Sequence, residues 1–188
     1  ADVTFSFMVH DGTAYSAAAY VLSTTHSAVQ DLPTSAAATV ANAEDTLKTY
    51  AAGNFAFTDV DSGDSITRIK VTILESTGTL ECNNKNGLTA GWEDCVADDY
   101  VAAGTDLRLT PAADSTADVT FSFMVHDGTA YSAAAYILTT THSAVDDAPA
   151  FSAATATANA AENQAAVGTY TATDTESDTI AYTISGTD

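Results

Sequence analysis

The sequence predicts an all-β protein of tandem β-sandwich domains laid end to end. The first observation is a repeat. Residues 1–29 return as residues 117–145 with two differences, Val21 becoming Ile137 and Ser23 becoming Thr139. The offset of 116 residues matches the length of one small sandwich domain. The second observation is alternation. In DVTFSFMVHDG, Val119, Phe121, Phe123 and Val125 face one way, and Thr120, Ser122, Met124 and His126 face the other, as in a half-buried strand. The third is composition: Thr, Ser and Ala are abundant, Pro occurs three times, and no apolar stripe of helical length is present. The hydrophobic fraction of 46% is inflated by alanine, so the core should be thin and sheet-like.

The elements follow in chain order. Residues 1–27 read as the closing hairpin of one sandwich, two strands around the turn-forming HDGT. Residues 28–35 are a linker in which a proline follows Asp31, which favours extended chain. Residues 36–142 read as a complete sandwich of about seven strands. It opens with ATVANAED at 38–45, continues through FTDVDSGDS at 57–65 and ITRIKVTIL at 66–74, and closes with the second copy of the hairpin. Residues 143–149 are the second linker, again acidic before proline. Residues 150–188 read as the opening strands of a further domain, with ATATANAAEN, ATDTESDT and IAYTI echoing the segments just named. Both outer units are thus part-domains. A window on a longer array is the reading the sequence favours. The alternative is strand complementation, in which the closing hairpin of one molecule completes the opening strands of the next.

Charge narrows the function. The net charge is −20, with five basic residues, Lys48, Arg68, Lys70, Lys85 and Arg108, all in the middle third. Such a chain repels nucleic acid and anionic membrane surfaces, so neither is expected as a partner. Its carboxylates either stay solvated on a secreted or halophilic surface or hold divalent cations. No membrane span or lipidation motif is visible, and no membrane insertion is expected. Cys82 and Cys95 flank the polar loop CNNKNGLTAGWEDC. A disulfide across it is expected, placing the protein outside the cell or at its surface. Closing such a loop is worth about 3 kcal/mol by chain entropy. Neither CxxC nor a nearby His supports zinc.

No enzyme is expected. His10, His26, His126 and His142 are two residues seen twice, and no nucleophile signature accompanies His126 and Asp127. Trp92, inside the cysteine loop, could contact a sugar or a neighbouring subunit, or pack on the disulfide or the sandwich edge.

Four segments carry a family resemblance. DDAPAF at 146–151 resembles the linker between cadherin and bacterial cadherin-like repeats, and residues 162–188 resemble the opening half of such a repeat. Residues 43–71 resemble a related tandem repeat of very large bacterial surface proteins, and FMVHDGTAYSAAAYILTTT at 123–141 resembles their shared closing strands. The resemblance implies Greek-key, cadherin-like or Ig-like sandwiches. It also implies calcium at the domain junctions, cell adhesion, and an extracellular filament, stalk or adhesin shaft.

Calcium takes six to eight oxygens, which a junction can gather from two domains and their linker. Junction one would draw on Asp31, Asp59, Asp61 and Asp127. Junction two would draw on Glu44, Asp146, Asp147, Asp174 and Glu176. In the family pattern these match the early-strand Glu, the linker acids, the D-x-D pair and the late-strand Asp. The linker is shorter than the family's, and Gln30 stands where an acid is expected. The cadherin mid-domain acidic triplet is replaced by LTPAADST, so one or two ions per junction are expected. With these acids only capping turns, the junctions would carry none.

The resulting expectation is a structural repeat segment of a prokaryotic surface filament, stiffened by calcium. Its partners would be neighbouring repeats of the same chain or fibre, with a glycan or surface receptor as a further candidate. The alternatives are a glycan- or protein-binding module centred on Trp92, and a non-catalytic spacer of a large secreted enzyme.

Overall fold

The computed structural model describes residues 2–89, 91–152, 161–163 and 169–186. Its regular structure is strand throughout, apart from short 3-10 turns at Ala52–Asn54 and Lys85–Gly87. Contacts divide the chain into two compact units, Ala1–Asp31 and Leu32–Asp188.

The first unit is one antiparallel hairpin, β1 (Val3–Phe7) with β2 (Tyr20–Thr24). Every residue of both strands is exposed. The expected alternation is present in its sequence.

The second unit holds the remaining strands. They are β3 (Ala38–Ala43), β4 (Lys48–Tyr50), β5 (Arg68–Ile73), β6 (Thr79–Asn83), β7 (Trp92–Asp94), β8 (Tyr100–Ala102), β9 (Leu107–Thr110), β10 (Val119–His126), β11 (Tyr136–Ser143), β12 (Ala150–Phe151) and β13 (Ala172–Thr173). A five-stranded sheet runs β3-β11-β10-β5-β8, and a four-stranded sheet runs β4-β9-β6-β7. These nine strands exceed the seven expected, because the cysteine loop contributes the short strand β7 and the segment after it the short strand β8, both at sheet edges. All pairings are antiparallel except β3 on β11, which is parallel. β12 and β13 form a separate two-residue ladder. The strand expected from ATATANAAEN lies mostly outside the described residues.

The two large sheets share one core, as in a β-sandwich. Ile69, Val71, Val101, Val119, Phe121, Phe123, Val125 and Leu138 from the first meet Tyr50, Leu80, Cys82, Leu107 and Leu109 from the second. Period-2 sequence produces this packing. In β10 the expected inward set is buried, with Thr120, Ser122 and Met124 half-buried on the other face. His126 departs from that pattern and is buried, because the strand ends there and turns. Its Nδ1 accepts the Gly128 amide at 2.9 Å and its ring meets Tyr131 edge-on at 4.4 Å. His126 is therefore held below the ordinary histidine range by burial and by Arg68, and is neutral at physiological pH.

Cys82 and Cys95 form the expected disulfide, with 13 residues of sequence separation. Beside it, Lys85 lies within 3.3 Å of buried Asp99 and 3.4 Å of Glu93, which pins the loop on β8. On the outer face of the smaller sheet, Arg108 pairs in fork geometry with Glu81, at 2.8 and 3.0 Å. The Arg108 guanidinium also lies 4.1 Å from the centre of the Trp92 ring.

Candidate metal centres at the two ends of the sandwich

Strand direction fixes where the acids fall. β10 and β11 are antiparallel with Val119 opposite Thr140, so Asp127, just past β10, lies at the end where β11 begins. β3 runs parallel to β11, so residues 44–45 and 144–147 share the opposite end. The chain thus enters the sandwich at one end and leaves at the other. Thr34 and Thr58 exchange backbone hydrogen bonds at 2.8 and 3.0 Å, setting the entering segment beside Asp59.

At the entering end, Asp59, Asp64 and Asp127 gather carboxylate oxygens within 4.8 Å of one another. Their positions follow from turn chemistry. Asp59 Oδ1 accepts the Asp61 amide at 2.9 Å, and Gly63, at φ +102°, lets the loop fold back toward Asp64. Asp127 Oδ1 accepts the amides of Thr129 and Ala130. These bonds use one oxygen of each aspartate. The other oxygens, Asp59 Oδ2 and Asp127 Oδ2, are buried with no hydrogen-bond partner among the described residues. Asp127 is 7% exposed. Burial pushes its carboxyl up, but the Ala130 and Thr129 amides and His126 outweigh burial and hold it below the usual carboxylate range. An ionised, buried and unpartnered oxygen is costly alone, and a cation satisfies it.

At the leaving end, Asp45, Asp114 and Asp147 form the second cluster, again within 4.8 Å. Asp45 and Asp114 both adopt left-handed backbone, at φ 56° and 53°, and Asp45 Oδ1 accepts the Asp114 amide at 3.0 Å. Glu176 Oε2 accepts the Asp147 amide at 3.0 Å, joining the next acidic turn to the linker. Glu44, 2% exposed, accepts the Val145 amide at 2.8 Å and so fixes the departing chain. Asp147 Oδ2 is buried with no hydrogen-bond partner among the described residues. Partial desolvation, then Glu176, Asp114 and Asp45, raises the Asp147 carboxyl above its ordinary value. Like charges are held together at this cluster.

The acids expected from sequence are therefore redistributed. Asp59 and Asp127 share the first cluster, and the Asp147 amide donates to Glu176 beside the second. Asp31 belongs to the first compact unit, whereas Asp59, Asp61 and Asp127 belong to the second. Asp61 precedes the close approach of Asp64, whose amide faces the Asp61 carbonyl at 3.4 Å. Asp146 is exposed beside the second cluster. Asp174 caps its own turn, accepting the Asp178 amide at 2.9 Å. Three cluster members escaped the sequence reading: Asp45, Asp64 and Asp114. Asp64 was visible as the third acid of DVDSGDS. Asp45 and Asp114 are 69 positions apart, and only the fold joins them.

Hard oxygen donors and no sulfur or imidazole at either cluster favour a hard divalent cation. No family model, curated protein or solved structure matches this chain. Among the described residues, no helix is long and apolar enough to cross a membrane.

Proposed function

We propose that this chain is a segment of an extracellular structural array, a filament, stalk or adhesin shaft, whose cadherin-like units are stiffened by calcium at their ends. The observation that carries the reading is the pairing of chain path with acids. One carboxylate cluster sits where the chain enters the sandwich and another where it leaves, each with a buried oxygen lacking a partner among the described residues. Calcium suits both, since it accepts irregular oxygen shells drawn from turns and linkers. Without the ion, repulsion around Asp147 loosens the departing linker. With it, Asp45 and Asp114 of the sandwich clamp Asp147 of the linker, and Glu176 brings the following turn to the same point. The near-identical hairpin copies fit a repetitive mechanical role, and the disulfide fits an oxidising location. Small-angle scattering of the full chain tests this: calcium is expected to increase the maximum dimension and chelator to reverse it. An unchanged dimension contradicts the reading.

A second reading, a glycan-binding module, draws on a cleft of about 370 Å3 lined by Arg68, Asn84, Thr89, Tyr100 and Asp106. Trp92 does not line that cleft, and one face of its ring is covered by Arg108. Tyr100→Ala should then abolish glycan binding while leaving the calcium response intact; glycan binding that survives the substitution contradicts this reading.

A further inference from the structure

Among the described residues, one guanidinium has no acid beside it. Lys70 lies 4.0 Å from Asp98, Lys85 lies 3.4 Å from Glu93 and 3.3 Å from Asp99, and Arg108 forks onto Glu81. Lys48 donates to the Ala41 carbonyl at 3.2 Å. Arg68 forms no ion pair with any described residue, in a chain that carries 25 acidic residues. It is exposed at the start of β5, with its guanidinium 5.2 Å from the centre of the Tyr100 ring. A cation left unpaired in so acidic a protein is available to an anionic ligand.

Arg68 lines the cleft of about 370 Å3, together with Asn84, Thr89, Tyr100 and Asp106. That volume falls within the range of small-ligand sites, about 300–1,000 Å3. The fold builds the cleft from two rigid parts. β5 and β8 pair with Arg68 opposite Ala102 and Lys70 opposite Tyr100. The loop closed by Cys82–Cys95 carries Asn84 and Thr89. Asn84 takes left-handed backbone at φ 49°, which asparagine tolerates, and its side-chain amide bonds no described residue. Asp106 Oδ1 accepts the Asn83 side-chain amide at 2.8 Å, and its other oxygen can accept a hydroxyl. The charges select the anion. One guanidinium balances one negative charge, and Asp106 in the same cleft opposes a second, which favours a carboxylate over a phosphate dianion. The remaining groups, an amide, a hydroxyl and a carboxylate, match partners that both donate and accept, as sugar hydroxyls do.

We propose that this cleft binds an acidic sugar, a uronate unit of a glycan, with its carboxylate on the Arg68 fork and its hydroxyls on Asn84, Thr89 and Asp106. The Tyr100 ring beneath the guanidinium limits where the fork can point, which lowers the ordering cost of the contact. The net charge of −20 repels an anionic ligand at long range, so recognition rests on this short-range contact. The proposal deepens the glycan-binding reading, on which it rests, by naming the class of sugar. It does not depend on calcium.

Nuclear magnetic resonance titration of the isotope-labelled full chain tests it, with glucuronate, glucose and acetate as probes. The buffer is calcium-free, because carboxylates bind that ion themselves, and contains moderate salt to screen the protein's field. Glucuronate is expected to give saturable shifts at Arg68 Nε, the Asn84 side-chain amide and Tyr100. It should bind about tenfold more tightly than glucose, which lacks the carboxylate, or acetate, which lacks the hydroxyls. Arg68→Gln, at an exposed position, should keep the spectrum of the core and lose the preference for glucuronate over glucose. A preference that survives Arg68→Gln would overturn the proposal. Equal binding of glucuronate and glucose would overturn it while the glycan reading stands. Equal binding of glucuronate and acetate would reduce the cleft to a simple anion site and overturn it. No shift with any probe would overturn both it and the glycan reading, and would leave the calcium reading untouched.

Discussion

The Tyr50 hydroxyl lies 2.7 Å from the Thr140 hydroxyl, with both residues fully buried between the two large sheets. Tyr50 stands on β4 of the four-stranded sheet and Thr140 on β11 of the five-stranded one. The bond ties the closing hairpin to the opposite layer, and burial pushes the Tyr50 phenol up to about 12. Thr24, the counterpart of Thr140, instead bonds the Val3 carbonyl within its own hairpin at 3.2 Å.

Tyr50→Phe is predicted to destabilise the second unit by about 1–3 kcal/mol, because it leaves the Thr140 hydroxyl buried without a partner. Tyr50→Phe/Thr140→Val should recover part of that loss. Urea denaturation read by near-ultraviolet circular dichroism checks both. Equal stability of Tyr50→Phe and the unmodified chain would show that the hydroxyls contribute nothing across the core.

Reducing Cys82–Cys95 is predicted to lower the stability of the second unit by about 3 kcal/mol, the chain entropy of a loop of this size. Both sulfurs are buried with their residues, so native, unreduced protein should take up no thiol reagent. Labelling of either cysteine under those conditions would contradict the pairing.

The clusters should respond differently to acid. Asp147 has a raised carboxyl, so its ionisation works against the ion-free fold, and that penalty fades as pH falls through the raised value. Asp127 has a lowered one. Its stabilising contribution is present above the ordinary carboxylate value near 4 and is lost as pH falls through its folded value. Calcium needs both ionised. On acidification the Asp147 cluster should therefore lose calcium before the Asp127 cluster, with proton release on binding. Calcium titrations in buffers of different ionisation enthalpy measure this. Simultaneous loss of both sites would refute the ordering, and Asp147→Asn should remove the first step.

Asp127→Asn is predicted to preserve the fold and weaken calcium at the entering end about tenfold, equivalent to about 1.4 kcal/mol. Its Oδ1 can still accept the Thr129 and Ala130 amides, so ion-free melting should fall only by the charge's share of those bonds. A large drop in ion-free stability would mean that the charge serves the turn rather than a cation.

Much of this was legible in the sequence because it is local. Alternation in DVTFSFMVH gave the face of β10, and the cysteine spacing gave the disulfide. Asp59 and Asp127 stand where the resembled family has its D-x-D pair and late-strand Asp. What escaped is set by tertiary pairing. Asp114 sits in PAADST, which reads as plain loop until β3 and β9 bring it to Asp45. His126 reads as an outward residue by alternation alone, but the turn after β10 carries it inward. Trp92 reads either as a ligand contact or as packing on the disulfide or the sandwich edge, whereas the strand order β9-β6-β7 brings Arg108 over it. The parallel contact of β3 with β11 has no signature in either strand, since it depends on which edge the rest of the sheet leaves open.

The most direct test is a calorimetric calcium titration of the full chain beside Asp127→Asn and Asp147→Asn. A calcium-stiffened array segment should show saturable binding that survives moderate monovalent salt, with a different site weakened in each variant. Weak, non-saturating heat that vanishes with salt and is equal in all three proteins would contradict it, leaving an acidic surface that merely attracts counterions.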